Sequence, residues 1–418
     1  MSRIIHRNVV LIAGVVALGA ACSAGGNNLF TGSSGGGSQG GSGHGGGGTG
    51  AGTATGTGGD GITITPGTGG STGNVCNHPP DQDGDGDGFT GNDGDCNDCD
   101  PNVNPGAIEV VDADPTATPA DEDCDGQVDN VAPTCDDAIA LTDGDPKNGA
   151  RAVDLCKFTV QNPGNKNQKT WGVFDSQWVR ADGAAYAAGE QVGIQDGWGP
   201  NVHPQGGKKL LALSSGHGRL PGQPGACNDN SCYNEGTGTA PTGFPQGVVG
   251  CDGGTAINDD VALQVKIRTP TNATGYSFDF KFYSFEYPEW VCTEFNDQFI
   301  ALVSPPPTGS VNGNISFDTQ HNPVSVNVAF FDVCTGCPLG TGELAGTGFD
   351  GSWGDDAGAT SWLKSQAPVK GGDEITIRWA IWDTGDQAWD STALVDNFQW
   401  IANGGTVTVG TDPIGQPK

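Results

Sequence analysis

The stretch Tyr276-Ser-Phe-Asp-Phe-Lys-Phe-Tyr283 places aromatic side chains at every second position, with polar side chains between them. Successive side chains of a β-strand point to opposite faces, so this period of two predicts a strand with one buried and one solvated face. Leu263, Val265 and Ile267 alternate with polar neighbours in the same way. These two segments therefore predict half-buried strands.

Outward from these strands, further segments keep the period of two, with Gly- or Pro-bearing loops between them: residues 298–303, 324–330, 374–383 and 392–400. Only residues 146–155 are typical of a helix, and a short one. Many strands with little helix predict an all-β domain at residues 132–403, an antiparallel β-sandwich of jelly-roll type. Residues 404–418 are expected to form a C-terminal strand or tail.

The first 75 residues differ from the rest in composition. Arg3 and Arg7 precede an apolar run that ends in small residues and Cys22, which predicts a signal peptide at residues 1–21. The order of small residues before Cys22 resembles a lipoprotein box and favours lipidation of that cysteine over simple cleavage. Residues 22–75 are rich in Gly, Ser and Thr and predict a disordered, flexible tether. We therefore expect an exported outer-membrane or cell-surface lipoprotein.

The charge and the cysteine content of the chain further restrict its possible partners and its cellular location. The 418-residue chain has 49 acidic and 18 basic residues and a net charge of −31, which excludes nucleic acid as a favoured partner. Of its 13 Cys, twelve remain when Cys22 is set aside, and an even set in an exported protein predicts disulfides. Zinc at the two CxxC spacings is the rival interpretation. The disulfides that we expect are Cys135–Cys156, Cys227–Cys232 and Cys251–Cys292.

Residues 76–131 are predicted to form a separate acidic module. Asp81 to Asp129 include sixteen acidic residues and no Lys or Arg. The motif Asp-x-Asp-x-Asp-Gly occurs twice there, and its alternating carboxylates are the first half of a calcium loop. The repeated carboxylates, which predict Ca²⁺ as the cofactor, are Asp83, Asp85, Asp87, Asp121, Asp123 and Asp125. A disordered acidic linker without metal is the alternative.

The order of these motifs resembles the MopE-type metal-binding repeat of exported bacterial proteins and is similar to thrombospondin type 3 calcium repeats. Between the two motifs lie Asp95-Cys-Asn-Asp98, Asp100-Pro and an Asn-Pro-Gly-Ala-Ile-Glu109 segment. The resemblance implies that further ligands complete the calcium shells, namely Asp95, Asp98, Asp100, Glu109 and Asp129.

The large domain resembles the choice-of-anchor L domain of bacterial surface proteins. The residues that carry the resemblance include Phe282-Tyr-Ser-Phe-Glu-Tyr-Pro-Glu289, Ile381-Trp-Asp-Thr-Gly-Asp386 and Leu394-Val-Asp-Asn-Phe398. The resemblance implies an exported domain whose anchor differs between proteins, here the lipid on Cys22. It implies no catalytic activity.

Acidic residues are also concentrated in the large domain, and three interpretations stay open. They cap turns, hold calcium, or form the paired carboxylates of a glycosidase. The candidates for a second calcium site are Glu286, Asp297, Asp383, Asp386, Asp390 and Asp396. A groove with two facing carboxylates about 5–9 Å apart, lined by exposed Trp, would favour the glycosidase.

The function expected from these features is that of a lipid-anchored, calcium-stabilised surface protein that presents a β-sandwich for adhesion or surface interactions. No HExxH motif and no Ser in a strand-turn-helix setting occurs, so we expect no enzymatic activity. The expected partners are surface glycans or other surface proteins, with the membrane contacted only through the lipid. The alternative is a carbohydrate-binding or glycoside-cleaving module of an extracellular system.

Overall fold

The computed structural model describes residues 78–111, 119–130 and 134–414, apart from positions 235, 252, 329, 355 and 403–404. The signal peptide, Cys22 and the tether that the sequence predicts within residues 1–75 lie outside the described residues. In the part that is described, no helix has the length and apolar character needed to cross a membrane.

β-Strands make up most of the regular structure after residue 134, and each pairing between strands is antiparallel. The strands are β1 (Gly172–Val179), β2 (Val192–Gln195), β3 (Leu210–Ser214), β4 (Ile257–Arg268), β5 (Gly275–Ser284), β6 (Gln298–Ser304), β7 (Val324–Ser325), β8 (Phe331–Val333), β9 (Gly358–Thr360), β10 (Leu363–Pro368), β11 (Glu374–Thr384), β12 (Ser391–Ile401) and β13 (Gly410–Pro413). The helix α1 spans Pro146–Arg151, and short 3-10 helices span Gly91–Asp93, Lys166–Gln168, Gly189–Gln191 and Gly342–Leu344.

The strands form two sheets. The five-stranded sheet has the order β1-β4-β11-β6-β7. The second sheet has the order β13-β10-β5-β12-β3-β2, and β9 pairs with both β5 and β8. Residues 410–413, within the predicted C-terminal strand or tail, are thus an edge strand beside β10.

Aromatic side chains from both sheets meet in the main core. Phe278 of β5 packs edge-on against Trp379 of β11, with ring centroids 5.5 Å apart. Phe280 contacts Phe299 of β6 at 4.9 Å. Burial of such rings is a dominant favourable term in folding, so these contacts hold the two sheets face to face. The predicted all-β antiparallel sandwich is confirmed.

The prediction that strand β5 is half-buried is wrong. All ten of its residues are buried, including Lys281 and Asp279 between the aromatic positions. The outer face of its sheet is covered by a second apolar cluster that includes Trp198 and Phe349. Buried charges must be paired, and the Lys281 Nζ lies 2.7 Å from Glu343. The alternation of aromatic and polar residues in β5 therefore belongs to a strand whose two faces are both covered by other parts of the protein.

Two predicted elements have different bounds in the structure. Residues 324–330 are not one strand, because β7 ends at Ser325 and Val328 N–H bonds back to the carbonyl of Ser325 (3.2 Å) in a turn. Their apolar side chains alternate because the turn still buries Val324, Val326 and Val328. Helix α1 stops at Arg151 instead of Leu155, and Asp154 takes a left-handed φ of 67°.

Disulfides link loops in both parts of the described chain. The bonded pairs are Cys96–Cys124, Cys135–Cys156, Cys227–Cys232, Cys251–Cys292 and Cys334–Cys337. The three pairs favoured by the sequence are among them. Because both CxxC segments have their cysteines in disulfides, their thiolates are not free for zinc. Such bonds are typical of an oxidising, extracellular environment.

Candidate cation-binding sites

The two Asp-x-Asp-x-Asp-Gly segments form loops with the same pattern of hydrogen bonds. The Asp83 carboxylate accepts from the backbone N–H groups of Gly86 (2.7 Å) and Gly88 (3.0 Å). The Asp121 carboxylate likewise accepts from Gly126 (3.0 Å), the counterpart of Gly88. The first Asp of each motif therefore closes a turn that brings the following carboxylates to one side.

These turns need left-handed backbone. Gly86, Gly88 and Gly126 have φ of 84°, 99° and 89°. Cys124, which stands in the second loop where the first has Gly86, has φ of 55°. A non-glycine residue rarely takes this conformation, and here the bond from Cys124 to Cys96 holds it there. The disulfide thus ties the second loop to the segment around Asp95 and Asp98.

Carboxylates of this acidic module converge in three groups. In each group, one carboxylate oxygen per residue lies within 4.8 Å of the others. The groups are Asp83, Asp85 and Asp87; Asp85, Asp95 and Asp98; and Glu109, Asp121 and Asp123. The first two groups share Asp85, and Glu109 takes the position beside Asp121 and Asp123 that the repeat pattern would assign to Asp125.

Buried oxygens of the module lack hydrogen-bond partners. They include Oδ2 of Asp85, Oδ2 of Asp95 and Oδ1 of Asp129. Burial, with a smaller contribution from the neighbouring carboxylates of Asp87 and Asp85, raises the pKa of Asp95 to about 6. Unsatisfied hard oxygens under mutual repulsion are the donor set that Ca²⁺ prefers. The residues present therefore fit a calcium ion.

Other predicted ligands have hydrogen bonds within turns instead. Asp100 Oδ1 accepts from the backbone (3.1 Å) and side-chain (3.0 Å) N–H of Asn102. Asp125 accepts from the backbone N–H of Gln127 and the side chain of Asn130, both at 2.8 Å. Neither Asp100 nor Asp125 belongs to the three groups among the described residues.

The acidic module rests on the turn between β4 and β5. Asn272 accepts from the backbone N–H of Ile108 (3.0 Å) and donates to its carbonyl (2.8 Å). Beside it, Thr271 Oγ1 donates to the side chain of buried Asn104 (2.8 Å). These paired bonds fix the module to the sandwich at one end.

A second set of carboxylates is buried at one end of the sandwich, although among the described residues no three of them bring oxygens within 4.8 Å of one another as the groups of the module do. Glu286 follows β5, Asp297 precedes β6, Asp383 is in β11 and Asp390 precedes β12. Their exposed fractions are 1%, 0%, 0% and 3%. Glu286 Oε2 accepts from the Asp297 backbone N–H at 3.3 Å. We call these four residues the sandwich-end cluster.

Burial and mutual repulsion perturb the whole sandwich-end cluster. Burial raises the pKa of Asp297 to about 7. Burial also raises the pKa values of Glu286, Asp383 and Asp390 well above the ordinary range, and the Asp297 carboxylate adds to each shift. Asp259, which the sequence did not single out, raises the pKa of Asp390 as well. The signal in the sequence that could have identified Asp259 is its position just before the alternating apolar residues of β4.

Of the other predicted ligands, Asp386 lies at the exposed edge of the cluster, near enough to raise the pKa values of Glu286 and Asp297, and Asp396 lies elsewhere in the sandwich. Asp386 is exposed and caps a turn by accepting from the Ala388 N–H at 3.0 Å. Asp396 is six residues beyond Asp390, about 20 Å along an extended strand at roughly 3.3 Å per residue. It is buried near Asp154 and Asp136, where burial raises the pKa of Asp396 to about 8 and that of Asp154 to about 6. The structure therefore does not bring Asp396 together with Asp390.

The cluster does not have the geometry of a glycosidase. Its carboxylates are enclosed between the sheets, whereas glycoside cleavage needs two carboxyls that face a sugar across an open groove. A cavity of about 420 Å³ is lined by Trp178, Glu190 and Arg219 and borders none of the four acids.

A comparison with known protein families gives a match within the β-sandwich. No curated protein shows a significant match to the chain. The model of the family described as Choice-of-anchor L domain matches residues 251–397, a segment that contains the whole sandwich-end cluster, and this match indicates a bacterial surface protein.

Proposed function

We propose that the protein is a lipid-anchored, calcium-stabilised bacterial surface protein that presents its β-sandwich for adhesion. The observation that carries the proposal is the Choice-of-anchor L match, because that family is one of surface domains. The lipoprotein-like sequence at Cys22 and the Gly-rich tether support the anchor. The disulfides support an extracellular location.

Calcium has its own role in this proposal. The groups around Asp85 and around Glu109 would each hold an ion, which supplies the positive charge that the module lacks. The module has few buried apolar side chains, so metal binding would contribute much of its folding free energy. With calcium bound, the acidic module would then act as an ordered spacer between the tether and the sandwich.

The anchor is tested by expressing the full chain in a bacterial host that processes lipoproteins, with Cys22→Ser as the comparison. We expect labelled palmitate to enter the wild-type protein alone, and protease added to intact cells to digest the sandwich. Equal labelling of the Ser variant, or complete protection from protease, would contradict the anchored surface location.

The adhesive role is tested by measuring the binding of intact cells to arrays of surface glycans and of cell-surface proteins, with Ca²⁺ and with chelator. Trp290 and Val291, exposed beside Cys292 of the Cys251–Cys292 bridge, offer apolar contact area. We expect calcium-dependent binding that Trp290→Ser weakens. Identical binding by cells that lack the protein would refute adhesion.

The calcium spacer is tested on the full chain with Asp85→Asn, since Asp85 belongs to two of the groups. Asp81→Asn is the matched control, because Asp81 is exposed in the same segment and belongs to no group. Bound calcium counted by elemental analysis should fall in the first variant and stay unchanged in the second. Equal ion counts in both variants would overturn the assignment.

A further inference from the structure

We propose that the sandwich-end cluster is a separate divalent-cation site, suited to Ca²⁺, that joins the two sheets at one end of the sandwich. The proposal goes beyond the calcium spacer, because its ligands belong to the β-sandwich and not to the acidic module. Asp383 and Asp390 are its direct ligands.

Strand register brings the acids together. In the pairing of β11 with β6, Ile381 lies opposite Phe299 and Trp382 opposite Gln298. Asp297 and Asp383 lie immediately beyond this pairing, and the Asp297 carboxylate accepts from the backbone N–H of Thr384, the residue after Asp383, at 2.9 Å. The second sheet reaches the same point, because the Ser391 hydroxyl donates to Asp297 Oδ2 at 2.6 Å. The cluster therefore lies where both sheets end.

Asp383 is a fully buried carboxylate. Neither of its oxygens makes a hydrogen bond of ordinary geometry, although the Ser215 side chain lies near enough to lower the pKa of Asp383, and Asp383 lies near enough to lower the pKa of Asp297. Oδ1 of Asp390 is also buried and unsatisfied. A buried carboxylate costs several kcal/mol unless it is paired. These oxygens are therefore available to coordinate a cation.

The other oxygens of the cluster are already engaged. Asp297 accepts from the Thr384 backbone N–H (2.9 Å) and from Ser391, and Asp390 Oδ2 accepts from the Cys232 N–H (2.8 Å). These bonds position the carboxylates without neutralising them. Asp297 is accordingly a positioning residue that adds negative charge, while Asp383 and Asp390 offer free oxygens.

Several buried charges elsewhere in the sandwich pair with side chains of opposite sign. Asp260 has Arg180 at 3.3 Å, Asp279 has Lys364 at 2.8 Å, and Arg268 has Glu374 at 2.9 Å. No salt bridge to any of the four cluster acids occurs within the described ranges. A divalent cation supplies the missing charge. Oxygen-only donors favour Ca²⁺ over zinc or copper.

The test uses the full chain and Asp383→Asn, which keeps the side-chain shape and removes the charge. Asp373→Asn is the matched control, since Asp373 is exposed just before the other end of β11. Bound calcium is counted by elemental analysis after gel filtration, and melting is followed by near-ultraviolet circular dichroism of the buried Trp379 and Trp382. We expect Asp383→Asn to lose one ion per chain and the calcium-dependent rise of the sandwich melting temperature. The control should lose neither.

Two outcomes would overturn the proposal. One is an unchanged ion count in Asp383→Asn; the other is melting of the wild-type sandwich that ignores calcium, as expected if the carboxyls share protons. If Asp383→Asn does not fold, Asp390→Asn is measured in the same way. Because Asp85→Asn should remove ions from the acidic module and leave the calcium response of the sandwich intact, failure of this proposal is distinguishable from failure of the calcium spacer.

Discussion

The acidic module and the sandwich-end cluster gather carboxylates in opposite ways. In the module, ligands a few residues apart converge because Asp83 and Gly88 close a local turn. In the sandwich, Glu286 and Asp390 lie more than a hundred positions apart and meet only through the register of two sheets. The module is only partly exposed and lies outside the Choice-of-anchor L match, whereas the sandwich-end cluster is fully buried and lies within it. Similar chemistry thus arises once from local sequence and once from topology.

The largest expected effect on stability comes from removing a side chain of the main core. It gives a reference for the effects expected in the acidic module and at the sandwich-end cluster. Trp379→Ala removes a fully buried ring that packs against Phe278. We expect a loss of about 3–5 kcal/mol in the free energy of unfolding, measured by urea titration. The loss should be the same with calcium and with chelator. A calcium-dependent loss would show that core packing and the cluster are not independent.

Chelation should destabilise both regions. A ligand that binds only the folded state at 100 times its Kd stabilises it by about 2.7 kcal/mol. We therefore expect EDTA at neutral pH to lower the melting temperature of the wild-type sandwich by several degrees, and Asp383→Asn to remove that drop. Calorimetric scans that coincide with and without EDTA would contradict calcium in either region.

A third prediction separates Asp396 from the cation sites by its pH dependence. Its pKa of about 8 lies above the ordinary value of 3.8, so the folded state holds its proton more tightly than the unfolded state. The resulting stability is full below about pH 4 and is lost as pH rises through 8. At about 1.4 kcal/mol per pKa unit, we expect a decline on the order of 2–4 kcal/mol between pH 5 and 9.

The check is urea unfolding of Asp396→Asn across that pH range, in chelator. Replacing the carboxyl with an uncharged amide should flatten the decline whatever it does to the absolute stability. Exposed Asp412→Asn serves as the control and should keep the wild-type slope. Identical slopes in all three proteins would exclude Asp396 as the titrating group.

The smallest expected effect concerns the contact between the two regions. Asn272→Ala removes two hydrogen bonds to the backbone of Ile108 and should cost about 1–3 kcal/mol. Hydrogen exchange followed by mass spectrometry should show faster exchange in the module and unchanged protection in β5. Asn201→Ala, which removes a bond to the Gly342 carbonyl, is the control. Equal exchange in the module of both variants would mean that Asn272 does not fix it.

The sequence predicts the sandwich because the alternation in β4 and β11 follows burial, although in β5 the polar positions are buried as well. It misplaces residues 324–330, since a turn can bury alternate side chains as a strand does. The acidic module could be predicted from spacing because its turns are local. The sandwich-end cluster could be predicted only as part of a longer list that also held Asp396, which the structure places near Asp154, because pairing between strands far apart in sequence decides which acids come together.

The most direct measurement is a crystal structure of the full chain grown with Ca²⁺, with data collected at a wavelength where calcium scatters anomalously. The account predicts anomalous peaks about 2.3–2.6 Å from carboxylate oxygens of Asp85 in the module and of Asp383 in the sandwich. A map with no peak at either position, and with Asp383 hydrogen-bonded to a neighbouring carboxyl through a shared proton, would contradict it.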